Sequence, residues 1–136
     1  HFDGGRILLV EDNELNREIA LELLVDLGLV VEVATNGQEA IQCIERQPDC
    51  YYELVFMDIQ MPVLNGYDAT RKIRAAGTKY TEGLPIIAMT ANVFRDDILE
   101  AVESGMNDYV TKPIDMKVIT GVLWKWLHGS SAGKKK

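Results

Sequence analysis

Residues 54–58 read LVFMD: four apolar side chains in a row, then the carboxylate of Asp58. A run that is apolar at every position is typical of a strand buried on both faces, as in a parallel sheet covered by helices. Open α/β folds place their ligands where such strands end. Three other runs also lead into polar residues: 6–10 into Glu11 and Asp12, 84–89 into Thr90, and 109–111 into Lys112.

The segments between these runs have helical spacing. Leu15, Ile19, Leu23 and Leu27 recur at every fourth position, with Ala20 and Leu24 beside them, which predicts a helix that buries this face and ends at Gly28. Further helices are predicted over residues 38–46 and 67–75, from about Phe94 to Gly105, and from Asp115 onward, with a strand at 30–34 and a polar loop at 77–83. Five strands alternating with five helices predict an α/β protein with a doubly wound, five-stranded parallel sheet. Periodicity does not determine the order of the strands.

Length, composition and charge fit one soluble domain. The chain has 136 residues, 47% of them hydrophobic, which is enough for one core. A net charge of −7 argues against binding to nucleic acid or direct contact with an anionic membrane. We find neither a signal peptide nor an apolar stretch of the roughly 20 residues that span a bilayer, and therefore expect a cytoplasmic location. Cys43 and Cys50 do not have the number or spacing of a disulfide or metal framework.

Both ends of the chain have the composition of boundaries. Residues 1–5 are expected to be an N-terminal boundary, and residues 6–128 the domain itself. Residues 129–136 contain glycine and serine and end in three lysines, which predicts a flexible linker or tail. The expectation is that the natural protein is longer.

The polar groups at the strand ends suit one kind of chemistry. Glu11, Asp12 and Asp58 would repel one another at one edge of the sheet, and Mg²⁺ relieves such repulsion because it prefers oxygen ligands. A carboxylate there can accept a phosphoryl group, with Lys112 and Thr90 contacting the transferred oxygens. Taken singly, each residue has a plainer interpretation as a helix cap, a strand end or a solvated lysine. Taken together, they favour a site for phosphoryl transfer to a carboxylate.

Four short motifs follow one another along the chain: VEDN at 10–13, MDIQMP at 57–62 with Asn65-Gly66 after it, MTAN at 89–92, and YVTKP at 109–113. In order and spacing they resemble the receiver domain of two-component response regulators, over residues 7–127. The resemblance implies a flavodoxin-like sheet of order 2-1-3-4-5 and phosphorylation of Asp58. The second and third motifs are most similar to receivers fused to hybrid sensor histidine kinases.

The resemblance also implies how a metal is held. Asp12 is expected to bind Mg²⁺, or Mn²⁺, directly, and Glu11 largely through water. Asp58 contributes its carboxylate and Gln60 a backbone carbonyl. Glu11 stands where the family more commonly has aspartate, which lengthens the reach to the ion.

A further set of residues is implied to sense the phosphoryl group. Thr90 and Lys112 are expected to move toward it, and Tyr109 is the aromatic whose ring then turns inward. Pro113 follows Lys112 where the family has a cis peptide bond, which proline tolerates better than other residues. The result would be a change on the face formed by the fourth long helix, the fifth strand and the last helix.

The implied partners are proteins that carry phosphohistidine, either a histidine kinase or a histidine phosphotransfer domain. A kinase or output domain covalently linked to this one is also expected. The domain would catalyse only its own phosphorylation and dephosphorylation, so whether it counts as an enzyme is open. The stimulus, the cognate kinase, the lifetime of the phosphoryl group and the oligomeric state do not follow from the sequence.

Two alternatives stay open. A docking module that is never phosphorylated would have no physical need for Asp12, Asp58, Thr90 and Lys112 together. A phosphatase with an aspartyl nucleophile usually has an acid two residues further on, where this chain has Gln60, which cannot protonate a leaving group. A nucleotide site is disfavoured because no glycine-rich loop follows a strand.

Overall fold

The computed structural model describes residues 4–61, 63–91, 95–112 and 114–128. Its centre is a five-stranded parallel sheet with strands β1 (Arg6–Val10), β2 (Val30–Ala34), β3 (Leu54–Asp58), β4 (Ile86–Thr90) and β5 (Asp108–Thr111). The strand order is β2-β1-β3-β4-β5. This confirms the predicted α/β class, the parallel sheet and the order implied by the resemblance.

The described residues form six α-helices, which connect and follow the strands. They are α1 (Glu14–Asp26), α2 (Gly37–Arg46), α3 (Gly66–Ala75), α4 (Lys79–Gly83), α5 (Arg95–Ser104) and α6 (Met116–Leu123), which widens into a π-helical turn at Trp124–His128. Residues 1–3, Phe94 and residues 129–136 lie outside the described part of the chain, so the predictions for them are not tested. Among the described residues, none of the helices has the length and apolar character that a membrane crossing requires.

The sheet is covered on both faces, as its apolar strands predict. On one face, Leu8 and Val55 pack with α2, α3 and α5, and on the other, Leu9 and Phe56 pack with α1 and α6. All four side chains are fully buried. The sheet therefore holds its strand ends rigidly, which is what a site at its edge requires.

Helix α1 does not bury the stripe that its sequence suggests. Leu15 and Ile19 are 65% and 44% exposed, whereas Ala20 and Leu24 are buried against the sheet. The prediction was wrong for Leu15 and Ile19 because a helix turns about 100° per residue, so each step of four residues drifts by about 40°. From Leu15 to Leu27 the stripe therefore rotates by about 120°, too far for one flat sheet to cover.

The predicted polar loop at 77–83 contains the short helix α4. Its N-cap is Thr78, whose hydroxyl accepts a hydrogen bond from the backbone N–H of Thr81, while the Thr81 hydroxyl bonds back to Thr78. Arg74 at the end of α3 then donates to the carbonyls of Thr81, Leu84 and Gly105 at 2.7 to 3.1 Å. This threonine capping box provides hydrogen-bond partners for backbone N–H groups at the start of α4. The prediction of a polar loop did not take it into account.

Val63, in the loop between β3 and α3, has a φ of +70° and is 81% exposed. A β-branched residue is strained in this left-handed region, whereas asparagine adopts it readily. We expect Val63→Asn to raise the free energy of unfolding by about 1 kcal/mol, measured by urea denaturation.

The matched control is Val102→Asn, because Val102 is 63% exposed within the regular helix α5. The control should be neutral or slightly destabilising, since asparagine is a poorer helix former than most residues. Equal effects of the two substitutions would contradict strain at Val63.

Candidate functional site

The C-terminal ends of β1, β3, β4 and β5 bring the predicted site residues to one edge of the sheet. Glu11 and Asp12 follow β1, Asp58 and Thr90 end β3 and β4, and Lys112 follows β5. All the strands are parallel, with Asp58 beside Met89 and Thr90 beside Thr111 in the register. The sequence prediction that these side chains share one edge is therefore matched by their positions.

The loop after β1 is fixed by hydrogen bonds of its own backbone. The N–H of Glu11 donates to the Ala34 carbonyl at 3.0 Å, and the N–H of Asn13 donates to Glu11 Oε2 at 3.1 Å. Asn13 also caps α1, accepting from the N–H of Asn16 at 2.9 Å. Glu11 is consequently buried and points into the site, while Asp12 lies exposed at its rim.

Lys112 bridges the two buried carboxylates. Its Nζ lies 3.0 Å from Glu11 Oε1 and 3.0 Å from Asp58 Oδ1. The same Asp58 oxygen accepts the backbone N–H of Gln60 at 3.3 Å. One ammonium group thus pairs with two carboxylates. The two residues that carry them, Glu11 and Asp58, are each only 2% exposed.

Two buried carboxylates share one ammonium group, so negative charge is in excess at this site. The pKa values of Asp58 and Lys112 are shifted as a result. Burial raises the pKa of Asp58 well above its usual range, and the adjacent carboxyl of Glu11 raises it further against the opposing effect of Lys112. For Lys112, burial alone would lower the pKa, yet the hydrogen bonds to Glu11 and Asp58 hold it above its ordinary value. Lys112 is therefore held in its charged form beside two buried acids.

The three carboxylates also fit a divalent cation. One oxygen each from Glu11, Asp12 and Asp58 lies within 4.8 Å of the others. Oxygen donors and a surplus of negative charge are what Mg²⁺ requires, and it accepts a site with few protein ligands because it keeps several waters. Asp12, exposed at the rim, offers its carboxylate toward solvent, from which such an ion would arrive.

An open cleft of about 440 Å³ lies over this edge. It is lined by Asp12, Ile59, Gln60, Met61, Asn65, Tyr67 and Asp97. Sequence reasoning missed Tyr67 and Asp97. The Tyr67 hydroxyl donates to the Asp97 carbonyl at 3.3 Å, joining α3 to α5 beside the cleft. A tyrosine directly after the Asn65-Gly66 turn was a usable signal, whereas nothing in the sequence marked Asp97.

The remaining predicted residues lie around this centre. Thr90 is buried at the end of β4, and its carbonyl accepts the N–H of Lys112 at 2.8 Å. Tyr109 on β5 is 39% exposed, and its predicted rotation stays a prediction. Pro113, predicted to follow a cis peptide bond, lies outside the described residues.

Comparison with known proteins gives one consistent family. A family model described as the response regulator receiver domain matches residues 7–123. "Probable histidine kinase 2" of Oryza sativa subsp. indica is 36% identical over 144 aligned positions, which cover 98% of this chain and 13% of that relative. The chain thus spans about an eighth of the length of that curated relative.

Two solved structures are similar in both fold and sequence. The receiver domain of the sensor histidine kinase PA1611 from Pseudomonas aeruginosa PAO1, with magnesium in its active-site cleft, has a TM-score of 0.83 and 39% identity, covering 92% of this chain and 98% of that one. The receiver domain of Saccharomyces cerevisiae Ssk1, crystallised with the histidine phosphotransfer protein Ypd1, has a TM-score of 0.82 and 31% identity, with coverages of 93% and 90%.

Proposed function

We propose that Asp58 is the phosphoacceptor of this chain, which belongs to the response regulator receiver domain family of two-component phosphorelays. The observation that carries the proposal is the pairing of a buried carboxylate with a partly buried ammonium: Lys112 Nζ lies 3.0 Å from Asp58 Oδ1. Because Oδ1 already accepts from Lys112 and from the Gln60 N–H, the nucleophile in this proposal is Oδ2.

The proposed transfer is a nucleophilic displacement at phosphorus. Asp58 Oδ2 forms the new O–P bond, and the P–N bond of a phosphohistidine breaks. The electron pair of that bond returns to the imidazole nitrogen, which takes up a proton. Water later attacks the phosphorus, which releases phosphate and restores the carboxylate of Asp58.

The residues around Asp58 have distinct tasks in this proposal. Lys112 neutralises charge on the transferred oxygens, and Thr90 donates its hydroxyl to one of them. Asp12, Glu11, Asp58 and the Gln60 carbonyl hold Mg²⁺, or Mn²⁺ as another cation that favours oxygen ligands. When bound, the cation screens the negative charge that an approaching phosphoryl group would otherwise meet.

The proposed donor is a phosphohistidine of a histidine kinase or a histidine phosphotransfer domain. The similarity to Ssk1, crystallised with Ypd1, and to hybrid histidine kinases supports this class of partner. A covalently linked kinase fits the same relatives, and we place the domain in the cytoplasm because phosphohistidine is formed there from ATP.

We further propose that phosphorylation shifts a two-state equilibrium. The phosphoryl group draws Thr90 and Lys112 toward it, and Tyr109 turns into the space that they leave. The face formed by α5, β5 and α6 then changes shape. This face exposes Leu99, Val102 and Trp124, each at least 50% exposed, so a partner has apolar surface to recognise.

The test is the intact mass of the protein after incubation with acetyl phosphate, with and without Mg²⁺. We expect one phosphoryl adduct that requires Mg²⁺ and is absent from Asp58→Asn. The matched control is Asp26→Asn, because Asp26 is exposed at the end of α1 away from the site and should leave the adduct unchanged.

The opposite result would be a folded protein without adduct, in a mixture where a reference receiver domain is phosphorylated. That outcome would favour the alternative of a docking module. An adduct that persists in Asp58→Asn would keep the phosphoryl chemistry but remove Asp58 as its acceptor.

A further inference from the structure

Arg17, in the first turn of α1, reaches back over the loop that carries the acidic pair. Its Nη1 donates to the Glu11 carbonyl at 3.1 Å and to the Asp12 carbonyl at 3.3 Å. The residue is half-buried, and both acceptors belong to the backbone. Arg17 therefore contacts the main chain of two proposed metal ligands without being a ligand.

These two carbonyls define the conformation of Asp12. The Glu11 carbonyl lies in the peptide plane before the Asp12 Cα, and the Asp12 carbonyl lies in the plane after it. The orientations of those two planes are the φ and ψ angles of Asp12. Fixing both planes fixes the direction of the Cα–Cβ bond, and with it the place from which the carboxylate starts.

Arg17 is itself held at a fixed distance from this loop. Its backbone N–H donates to the Asn13 carbonyl at 2.9 Å, as the first full turn of α1. Asn13 caps the helix and also donates its own N–H to Glu11 Oε2 at 3.1 Å. Hydrogen bonds of the α1 backbone, the Asn13 cap and the Arg17 guanidinium thus connect the residues on both sides of Asp12.

Electrostatic attraction to the metal cannot be the role of Arg17, because a guanidinium repels a cation. A positive charge near the site would weaken Mg²⁺ binding, whereas a well-held carboxylate would strengthen it. The two effects have opposite signs. They can therefore be separated by variants that keep the charge or remove it.

We propose that Arg17 is a positioning residue for the Asp12 carboxylate: it fixes the backbone of the β1–α1 loop and so prepares the cation site. This inference rests on the proposed function of the same site. Lysine at this position keeps the charge but has a shorter side chain without the planar fork.

The experiment measures the Mg²⁺ dissociation constant by isothermal titration calorimetry on the full chain. For Arg17→Lys we expect it to rise about 10-fold, the size typical of changes to groups that orient metal ligands. The matched control is Arg46→Lys, an exposed arginine on α2, which should leave the dissociation constant unchanged. The phosphorylation rate of Arg17→Lys at saturating Mg²⁺ should stay within about twofold of the wild type, since the loss lies in binding.

A dissociation constant for Arg17→Lys equal to that of the wild type would overturn the inference. Arg17→Gln provides a second reading: if the arginine acted only through its charge, removing it would tighten Mg²⁺ binding, whereas loss of positioning weakens it. Titrations are made well below the melting temperature of each variant, so a loss of stability does not imitate a loss of affinity.

Failure of the inference and failure of the proposed function give different results. If the wild-type chain neither binds Mg²⁺ nor accepts a phosphoryl group, the proposed function is wrong. If the wild type does both and Arg17→Lys binds Mg²⁺ equally well, only the role of Arg17 is wrong.

Discussion

Replacing Lys112 with methionine is expected to lower the free energy of unfolding by about 3 kcal/mol in buffer without Mg²⁺. Lys112 Nζ is 3.0 Å from a carboxylate oxygen of both Glu11 and Asp58, and those residues are each 2% exposed. Without the ammonium, two buried acids face each other with no cation between them. The loss, measured by urea denaturation, is limited by the proton that one of the acids then takes up.

The control for this prediction is Lys125→Met, because Lys125 is 66% exposed and lies 3.7 Å from Asp108. An exposed ion pair of this kind contributes little, about 0.5 kcal/mol. Adding Asp58→Asn to Lys112→Met should recover much of the loss, since one buried charge is removed. Equal losses for the single and the double variant would show that Lys112 stabilises the fold by packing rather than by its charge.

Asp58→Asn is expected to stabilise the protein by about 2 to 4 kcal/mol at pH 8 without Mg²⁺. Burial, and then the neighbouring Glu11, raise the pKa of Asp58 to about 7. Ionising Asp58 in the folded state therefore costs free energy that the unfolded chain does not spend. The amide keeps an oxygen for Lys112 and leaves a balanced pair of one ammonium and one carboxylate.

The pH dependence has a definite sign. Below about pH 4 Asp58 is protonated in both states, so the variant has no advantage. Between about pH 4 and pH 7 the unfolded state loses the proton first, and the stability of the wild type falls relative to Asp58→Asn as the pH rises. Above about pH 7 the difference is complete.

The measurement is the free energy of unfolding of both proteins from pH 4 to pH 8, with Asp26→Asn as the control for amide substitution. Mg²⁺ should narrow the gap at pH 8 by binding the folded wild type. A gap that is constant across the pH range would contradict a raised pKa at Asp58.

The sequence predicts the sheet chiefly through the central strands β1, β3 and β4, which are almost entirely apolar. The run 54–58 is typical of a strand buried on both faces, and all five of its residues are buried in the structure. Helix α1 was predicted only in part, since the stripe that begins at Leu15 rotates around the axis, and the contact with the sheet shows that its buried face includes Ala20 and Leu24 but not Leu15. Helix α4 was missed because a threonine capping box looks like a polar loop.

The site divides in the same way. The carboxylates and Lys112 were predictable, because each lies at the end of a strand or within two residues after it. Their connections were not: a single Nζ shared between Glu11 and Asp58 depends on side-chain distances that no spacing along the chain expresses. Arg17 was invisible for a related reason. Arg17 donates hydrogen bonds to backbone carbonyls, and because every residue has a carbonyl, such contacts leave no motif in the sequence.

The most direct measurement is the position of the phosphoryl group itself. After incubation with acetyl phosphate and Mg²⁺, borohydride reduces the acyl phosphate and leaves a permanent mark on the modified carboxyl, which peptide sequencing by mass spectrometry then locates. We expect the mark at Asp58 and at no other carboxylate. A mark at Glu11, at Asp12 or elsewhere, in a chain that is phosphorylated with Mg²⁺, would contradict it.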